Sequence, residues 1–466
     1  MQQKDDKKIL WHTLAFMAFS TVWGFGNVIN GFSEYGGLKA IVSWILIFAI
    51  YFVPYALMVG ELGSTFKHAG GGVSSWIHET IGPKMAYYAG WTYWVVHMPY
   101  ISQKPNSTVI AASWALFQDK RASGMNTTVM QILCLVIFLF AMYLSGKGMG
   151  VLKRLATLAG SAMFIMSMLF IAMMVAAPAL TGGTFMTIQW SLKTFIPTFD
   201  ASFFMGLSIL VFAVGGCEKI SPYVNKMKDP SKDFSKGMAA LALMVAVTAI
   251  LGTVALGMMF DSSHIPPDLM TNGAYYAFQR LGEYYHVGNF FVIVYALTNL
   301  IGQFSVMVLS VDAPLRMLLD SADTRFIPRK MFEKNEHGTY VNGHRLVMLI
   351  VCVLIIVPAF GIRNVDVLVR WLVKVNSVCM PLRYLWVFVA YIALKKAGDA
   401  YHAQYRFLKG RTAGILVGVW CFVFTAFACI TGIYSDDLFQ LVLNIVTPFV
   451  LVGLGFILPW LAAREN

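Results

Sequence analysis

About twelve stretches, each some twenty residues long and overwhelmingly apolar, follow one another along this chain with short polar links between them. Crossing the hydrocarbon core of a bilayer takes about 20 apolar residues in a helix. Peptide groups facing lipid must be paired within their own helix or within a closed barrel. The pattern therefore predicts an all-α membrane protein, with helices at roughly 9–32, 38–66, 84–117, 126–145 and 151–178, then at roughly 200–222, 236–260, 288–318, 345–361, 365–394, 412–432 and 437–463. Composition agrees: 58% of residues are hydrophobic and 12% charged, against about 45–50% and about 25% in soluble domains. The first apolar run leads directly into further ones, so it reads as a span and not as a cleaved leader. Between the seventh and eighth spans, Asp261 to His286 leaves room for a short surface helix. A basic loop, Arg316 to Arg345, follows the eighth.

The net charge of +12 raises the question of nucleic acid, because basic proteins neutralise phosphates. The placement of the charges answers it. With the N-terminus inside, the interior loops collect 25 Lys and Arg, from Lys4, Lys7 and Lys8 through Lys219 and Arg345 to Arg464. The exterior loops hold six: Lys39, Lys120, Arg121, Lys193, Arg280 and Arg363. Such a bias orients a membrane protein. It predicts a multi-pass protein of the cytoplasmic (inner) membrane with both termini cytoplasmic, and it leaves no case for nucleic acid. The six cysteines all fall in apolar runs without metal-ligand spacing and read as packing residues. No cofactor or metal is expected.

Two spans carry interruptions. The first contains Thr21-Val22-Trp23-Gly24-Phe25-Gly26-Asn27 at mid-depth, and the sixth contains Phe212-Ala213-Val214-Gly215-Gly216-Cys217-Glu218. They open two five-helix halves that run in opposite senses. Paired breaks in inverted repeats point to a central binding site, whereas single glycines would serve close packing. Unwinding in lipid exposes N–H and C=O groups that a ligand can satisfy. Amides near Gly26, Asn27 and Val28 suit a carboxylate, and carbonyls around Val22 and Phe212 suit an ammonium. Together they describe an α-amino acid.

The run Gly60-Glu61-Leu62-Gly63-Ser64, followed by Ala69-Gly70-Gly71-Gly72-Val73-Ser74-Ser75-Trp76-Ile77, Ile81-Gly82-Pro83 and Gly90-Trp91, resembles the second-to-third helix signature of the amino acid–polyamine–organocation superfamily. Phe212 to Glu218 with Asn225 to Pro230 resembles that family's sixth-helix motif, and Asp312 to Pro328 its eighth-helix exit. The resemblance covers roughly 9–394 and is nearest the bacterial antiporter branch that includes glutamate/γ-aminobutyrate exchangers. It implies a five-plus-five inverted repeat (the LeuT-like fold) over 1–394, with repeats at about 9–178 and 200–394 and two accessory helices over 412–463. It further implies substrate contacts at Val22, Gly24, Phe25, Gly26, Asn27, Phe212, Ala213 and Gly215, an aromatic gate at Phe212, and Tyr93 facing the site. Two positions depart from the pattern. Phe25 replaces a small residue and would narrow the pocket. Ala162 or Met163 stands where proton-coupled relatives keep a lysine, and with no compensating acidic cluster in the sequence this favours exchange over sodium symport.

Polar side chains at membrane depth need a reason, since a central charge costs about 2.5–3.5 kcal/mol on insertion scales. Lys374 is expected near mid-depth in the tenth helix, either to contact a substrate carboxylate, neutralise Glu218 or Glu61, or carry a proton, or else to sit in a structural ion pair or snorkel. Lys104 is expected in the outer vestibule, with Arg370 near the exterior. Glu61 and Glu218 read as gating or structural ion-pair partners. His97 reads either as a titrating group or as a packing residue, and Asn299 with Gln303 either as substrate contacts or as interhelical hydrogen bonds. Lys104, Arg370 and Lys374 tilt the cargo towards acidic or neutral amino acids. The reading is a secondary transporter of amino acids working by alternating access, most simply an exchanger, embedded in lipid and with a homodimer left open. The rivals are a proton-coupled symporter and, from another class, a channel or substrate-sensing receptor. No phosphate loop, zinc pair or nucleophile elbow argues for an enzyme.

Overall fold

The computed structural model describes residues 9–69, 72–360, 364–401 and 403–465. Lys4, Lys7 and Lys8, the signature glycines Gly70 and Gly71, and Arg363 lie outside them. Among the described residues the chain is built from helices. The first five expected spans are α1 (Trp11–Val22) with α2 (Phe25–Glu34), α3 (Ala40–Ile47) with α4 (Val53–Thr65), α6 (Pro83–Val95) with α7 (His97–Phe117), α8 (Thr127–Ser145) and α9 (Met149–Leu180). A short α5 (Val73–Thr80) precedes α6, and a single turn, α10 (Leu192–Phe195), follows α9.

The second group is α11 (Ala201–Val214) with a 3₁₀ segment (Cys217–Lys226), α12 (Pro230–Gly257), α14 (Phe290–Leu319), α15 (Val341–Ile356) and α16 (Val365–Cys379) with α17 (Leu382–Ala397). Between α12 and α14 runs α13 (Leu269–Tyr284). Then come α18 (Arg411–Gly432), and α19 (Leu438–Gly453) with α20 (Ile457–Ala462). Nine of these stretches are long and apolar enough to cross a membrane unaided. The other three expected spans are α1–α2, which is broken, α6–α7, which is polar, and α15, which is short.

Prolines explain where several spans break. A proline ring clashes with the carbonyl four residues back and removes one helical hydrogen bond. Pro99 thereby displaces the Val95 carbonyl, and α6 gives way to α7 at Val96. Pro54 does the same to Ile50, within a π-helical turn (Phe48–Phe52), and the freed Ile50 carbonyl accepts a hydrogen bond from the Trp420 indole of α18 at 2.8 Å. Pro381 divides the tenth span at Met380, where the sequence suggested one continuous helix.

Lipid tails are as apolar as leucine, so helices associate here through close contact of small residues. A Cβ on Gly160 of α9 would lie 1.9 Å from the Phe16 carbonyl of α1, and one on Gly63 of α4 would enter the Phe234 ring of α12. At the N-terminal face, Ile9 exchanges backbone hydrogen bonds with Lys226 (2.9 Å) and Lys228 (3.0 Å), joining the start of α1 to the tail of the sixth span. The stretch expected to hold a short surface helix instead carries the sixteen-residue α13. Asn272 of that helix is fully buried, accepting from the Trp114 indole and donating to the Ser123 hydroxyl, each at 2.9 Å, so one face of α13 packs on α7 and the loop after it.

Candidate functional site

The first break is Trp23-Gly24, both extended, between α1 and α2. At 1.5 Å per residue, α1 reaches it about 17 Å in, near mid-membrane. The second break is Gly215-Gly216. Gly216 has φ +109°, a backbone conformation that favours glycine, and a Cβ there would approach the Arg383 guanidinium and the Thr21 carbonyl. A Cβ on Gly215 would collide with the Tyr384 hydroxyl at 2.0 Å. The broken first, sixth and tenth spans therefore meet at one point.

A cavity of about 160 Å³ opens at that junction. Val22, Gly24, Gly26, Asn27, Phe212, Gly215, Asn299 and Lys104 all line it. Lys104 was expected farther out, but it donates to Gln303 Oε1 at 3.2 Å, and Gln303 and Asn299 continue the chain to the Tyr275 hydroxyl (3.1 and 2.8 Å). Phe212 meets Tyr100 edge-on at 6.1 Å between ring centres. The first-turn amides of α2, at Phe25 and Gly26, have no acceptor within the helix by their position. The carbonyls expected to hold an ammonium are already engaged: Asn27 Nδ2 donates to both Val22 O and Ala213 O, each at 3.2 Å.

Several expected site residues lie elsewhere. Phe25 turns away from the cavity into a cluster with Phe170, Phe278 and Tyr295, because the first residue of α2 faces α9 and α13. Ala213 contributes only its carbonyl. Tyr93 is fully buried behind the cavity, donating to Glu218 Oε1 at 2.7 Å and stacking on His97. His97 contacts the Tyr93 carbonyl at 2.6 Å and the Arg383 guanidinium, so it packs within a buried network and does not line the cavity. Lys374 is not at the cavity either: it pairs with Glu34 at 3.1 Å, where the end of α2 meets α16. Arg370 is exposed and reaches the Pro267 carbonyl at 3.4 Å.

Glu61 and Glu218 are both buried ion-pair partners. Glu61 binds Lys395 at 2.5 Å near the N-terminal face and accepts from Tyr391 and the Phe407 amide. Glu218 lies 3.3 Å from Arg383 and accepts from Tyr55 and Tyr93. Met163 fills the space between Gly24 and Gly302 with its thioether, so an apolar side chain occupies the gap between the first break and α14.

Two charged residues of the cavity are not among those expected from the sequence. The sequence places Lys219 in an interior loop and marks no role for Arg383. Both are buried and line the cavity. Arg383 follows Pro381 by two residues, and an interrupting proline with an arginine beside it in an apolar run was the available signal. Lys219 adjoins Glu218 of the sixth-span motif, but Ser221, Asn225 and Lys226 after it gave the look of a loop. Among the described lining residues the charged ones are Lys104, Lys219 and Arg383, with no carboxylate.

Comparison with known proteins returns one family profile, described as amino acid permease, over residues 9–458. An aspartate/glutamate permease, AcaP, of Lactococcus lactis subsp. cremoris is 48% identical over 99% of this chain and 97% of its own length. The inner membrane transporter YjeM of Escherichia coli is 23% identical over 84% and 83%. The probable agmatine/putrescine antiporter AguD of Lactococcus lactis subsp. lactis is 22% identical over 76% and 72%.

Proposed function

The chain belongs to the amino acid permease family, within the amino acid–polyamine–organocation superfamily, and is a multi-pass membrane transporter of amino acids; on that premise we propose that its cargo is an acidic amino acid, aspartate or glutamate, carried by exchange. The observation that carries this reading is the cavity's charge: three cations, of which only Arg383 has a carboxylate partner, Glu218, and no carboxylate among its described lining residues. Buried charges are costly unless paired, so a ligand with surplus negative charge is favoured and an arginine-like one is repelled. The relative named for aspartate and glutamate spans nearly the whole chain, which supports the same cargo.

In this reading the substrate's α-carboxylate takes the first-turn amides of α2, aided by the dipole. Its ammonium displaces the Asn27 carboxamide from the Val22 and Ala213 carbonyls. Phe212 closes over it from the sixth span. The first, second, sixth and seventh spans rock against the rest, within an inverted-repeat core over 1–394 to which residues 412–463 are accessory. The N-terminal face is cytoplasmic, by its excess of Lys and Arg.

Exchange follows from electrostatics. An empty cavity would carry uncompensated positive charge through the membrane, and an acidic substrate removes part of that penalty. Met163, in place of a charged group beside the first break, also favours exchange over ion coupling. The test is counterflow in liposomes containing the purified protein. Labelled aspartate should accumulate only against internal aspartate or glutamate, and arginine should not substitute. Accumulation into empty vesicles under an imposed pH gradient would replace exchange with proton symport. Saturable uptake of arginine in preference to aspartate would overturn the cargo.

A further inference from the structure

The three cations of the cavity are not equivalent. Arg383 is neutralised in place: its guanidinium pairs with Glu218 at 3.3 Å, contacts His97 and donates to the Tyr384 hydroxyl at 3.2 Å. Lys219 has no such partner. It is 1% exposed, its ammonium donates to the neutral Ser310 hydroxyl at 3.0 Å, and it lies 5.0 Å from the centre of the Tyr100 ring. Lys104 reaches the same ring, at 4.5 Å, and donates to the neutral Gln303 carboxamide. Among the described residues neither lysine forms an ion pair with a carboxylate. The ring face contributes a weak attraction to each cation, which does not replace a counter-ion for a buried ammonium.

We propose that Lys219 and Lys104, gathered on Tyr100, form the subsite that reads the cargo's side-chain carboxylate, while Arg383 is a fixed part of the frame. The inference rests on the acidic-cargo reading and adds which residues enforce it. Lys219 follows Gly216 by three residues, its amide donating back to the Gly216 carbonyl at 3.0 Å, so its side chain departs within one turn of the sixth-span break. A substrate held at the breaks by its α-groups has its side chain beside this lysine. Its carboxylate supplies the missing counter-ion, and charge-assisted hydrogen bonds to two ammonium donors are the stronger kind. An amide side chain of the same shape brings no charge and leaves both lysines uncompensated.

The experiment compares apparent affinities for aspartate and asparagine as competitors of labelled aspartate exchange in proteoliposomes. Lys219→Met and Lys104→Met should each lower the aspartate-to-asparagine preference about 10- to 100-fold, the loss of one hydrogen bond to a charged group. The change should come through weakened aspartate binding with asparagine little altered, and Lys219→Arg should keep most of the preference. A wild type that does not prefer aspartate to asparagine would remove the acidic-cargo reading itself. A wild type that prefers aspartate, with both methionine variants holding its ratio within about twofold, would overturn this subsite and leave the cargo standing. Should Lys219→Met fail to fold, Lys104→Met carries the same test, and an unchanged ratio there overturns the two-lysine subsite.

Discussion

Asn27 stands where a ligand's ammonium is expected, its amide nitrogen 3.2 Å from the carbonyls freed at both breaks. Replacing it with alanine strips two carbonyls of their donor, and leaving buried polar groups unsatisfied costs about 1–3 kcal/mol each. Asn27→Ala should therefore melt earlier than wild type in detergent, and saturating aspartate should raise its melting temperature more than it raises the wild type's, because the substrate ammonium restores the donor. Equal shifts would remove Asn27 from the site. Gly215→Ala tests the meeting of the breaks: its Cβ would sit 2.0 Å from the Tyr384 hydroxyl, and overpacking of this kind costs about 1–3 kcal/mol. Reduced thermal stability with lost exchange is expected, and a wild-type melting curve would show that Tyr384 can step aside. Gly24, Gly26 and Gly215 were legible in the sequence because their breaks fall at matching positions of the two halves, whereas a single glycine would read as a packing residue. Lys219 was not, since a lysine next to polar residues looks the same in a loop as in a buried 3₁₀ segment. Only the fold of Cys217–Lys226 back against α1, α4, α12 and α14 removes it from water.

At the scale of helices, the tie between α2 and α16 is the Glu34–Lys374 pair, with the two side chains 17% and 33% exposed. Partly exposed pairs contribute up to about 1 kcal/mol, so it is a latch that thermal motion can open. Lys374→Met should lower apparent aspartate affinity a few-fold without abolishing exchange, and the reversed pair Glu34→Lys with Lys374→Glu should recover it. A double-mutant cycle that showed no coupling between the two positions would dismiss the latch. Counting residues into the tenth helix put Lys374 near the membrane centre. The count missed that this turn meets the cavity through Val369 and Val373 while Lys374 leaves on another face for Glu34, and that Pro381 divides the span so that Met380, Arg383 and Tyr384 line the cavity as well. Span boundaries were otherwise readable to within a few residues, because lipid imposes both their length and their polarity. The face that α13 presents was not, as a half-polar helix of that size can lie on a surface or cover a cavity, and only its neighbours decide.

For the molecule as a whole, the cavity lining continues towards α2, α13 and α16, at the face opposite the N-terminus. Nearer the N-terminal face lie the buried Glu61–Lys395 pair and the Asp312–Arg316 pair at 2.7 Å. Removing one partner of a buried pair leaves an uncompensated charge and costs about 3–5 kcal/mol. Lys395→Met should accordingly lower stability far more than Lys374→Met, and a scan of melting temperatures for the two variants reads the difference directly. Equal losses would mean that both faces are held with similar strength. The Ile9 backbone, paired with Lys226 and Lys228, adds a mechanical consequence. The first and sixth spans are hemmed together at one margin like two panels of a single sleeve. A tug on either is handed to its companion through main-chain hydrogen bonds, whether or not anything is aboard.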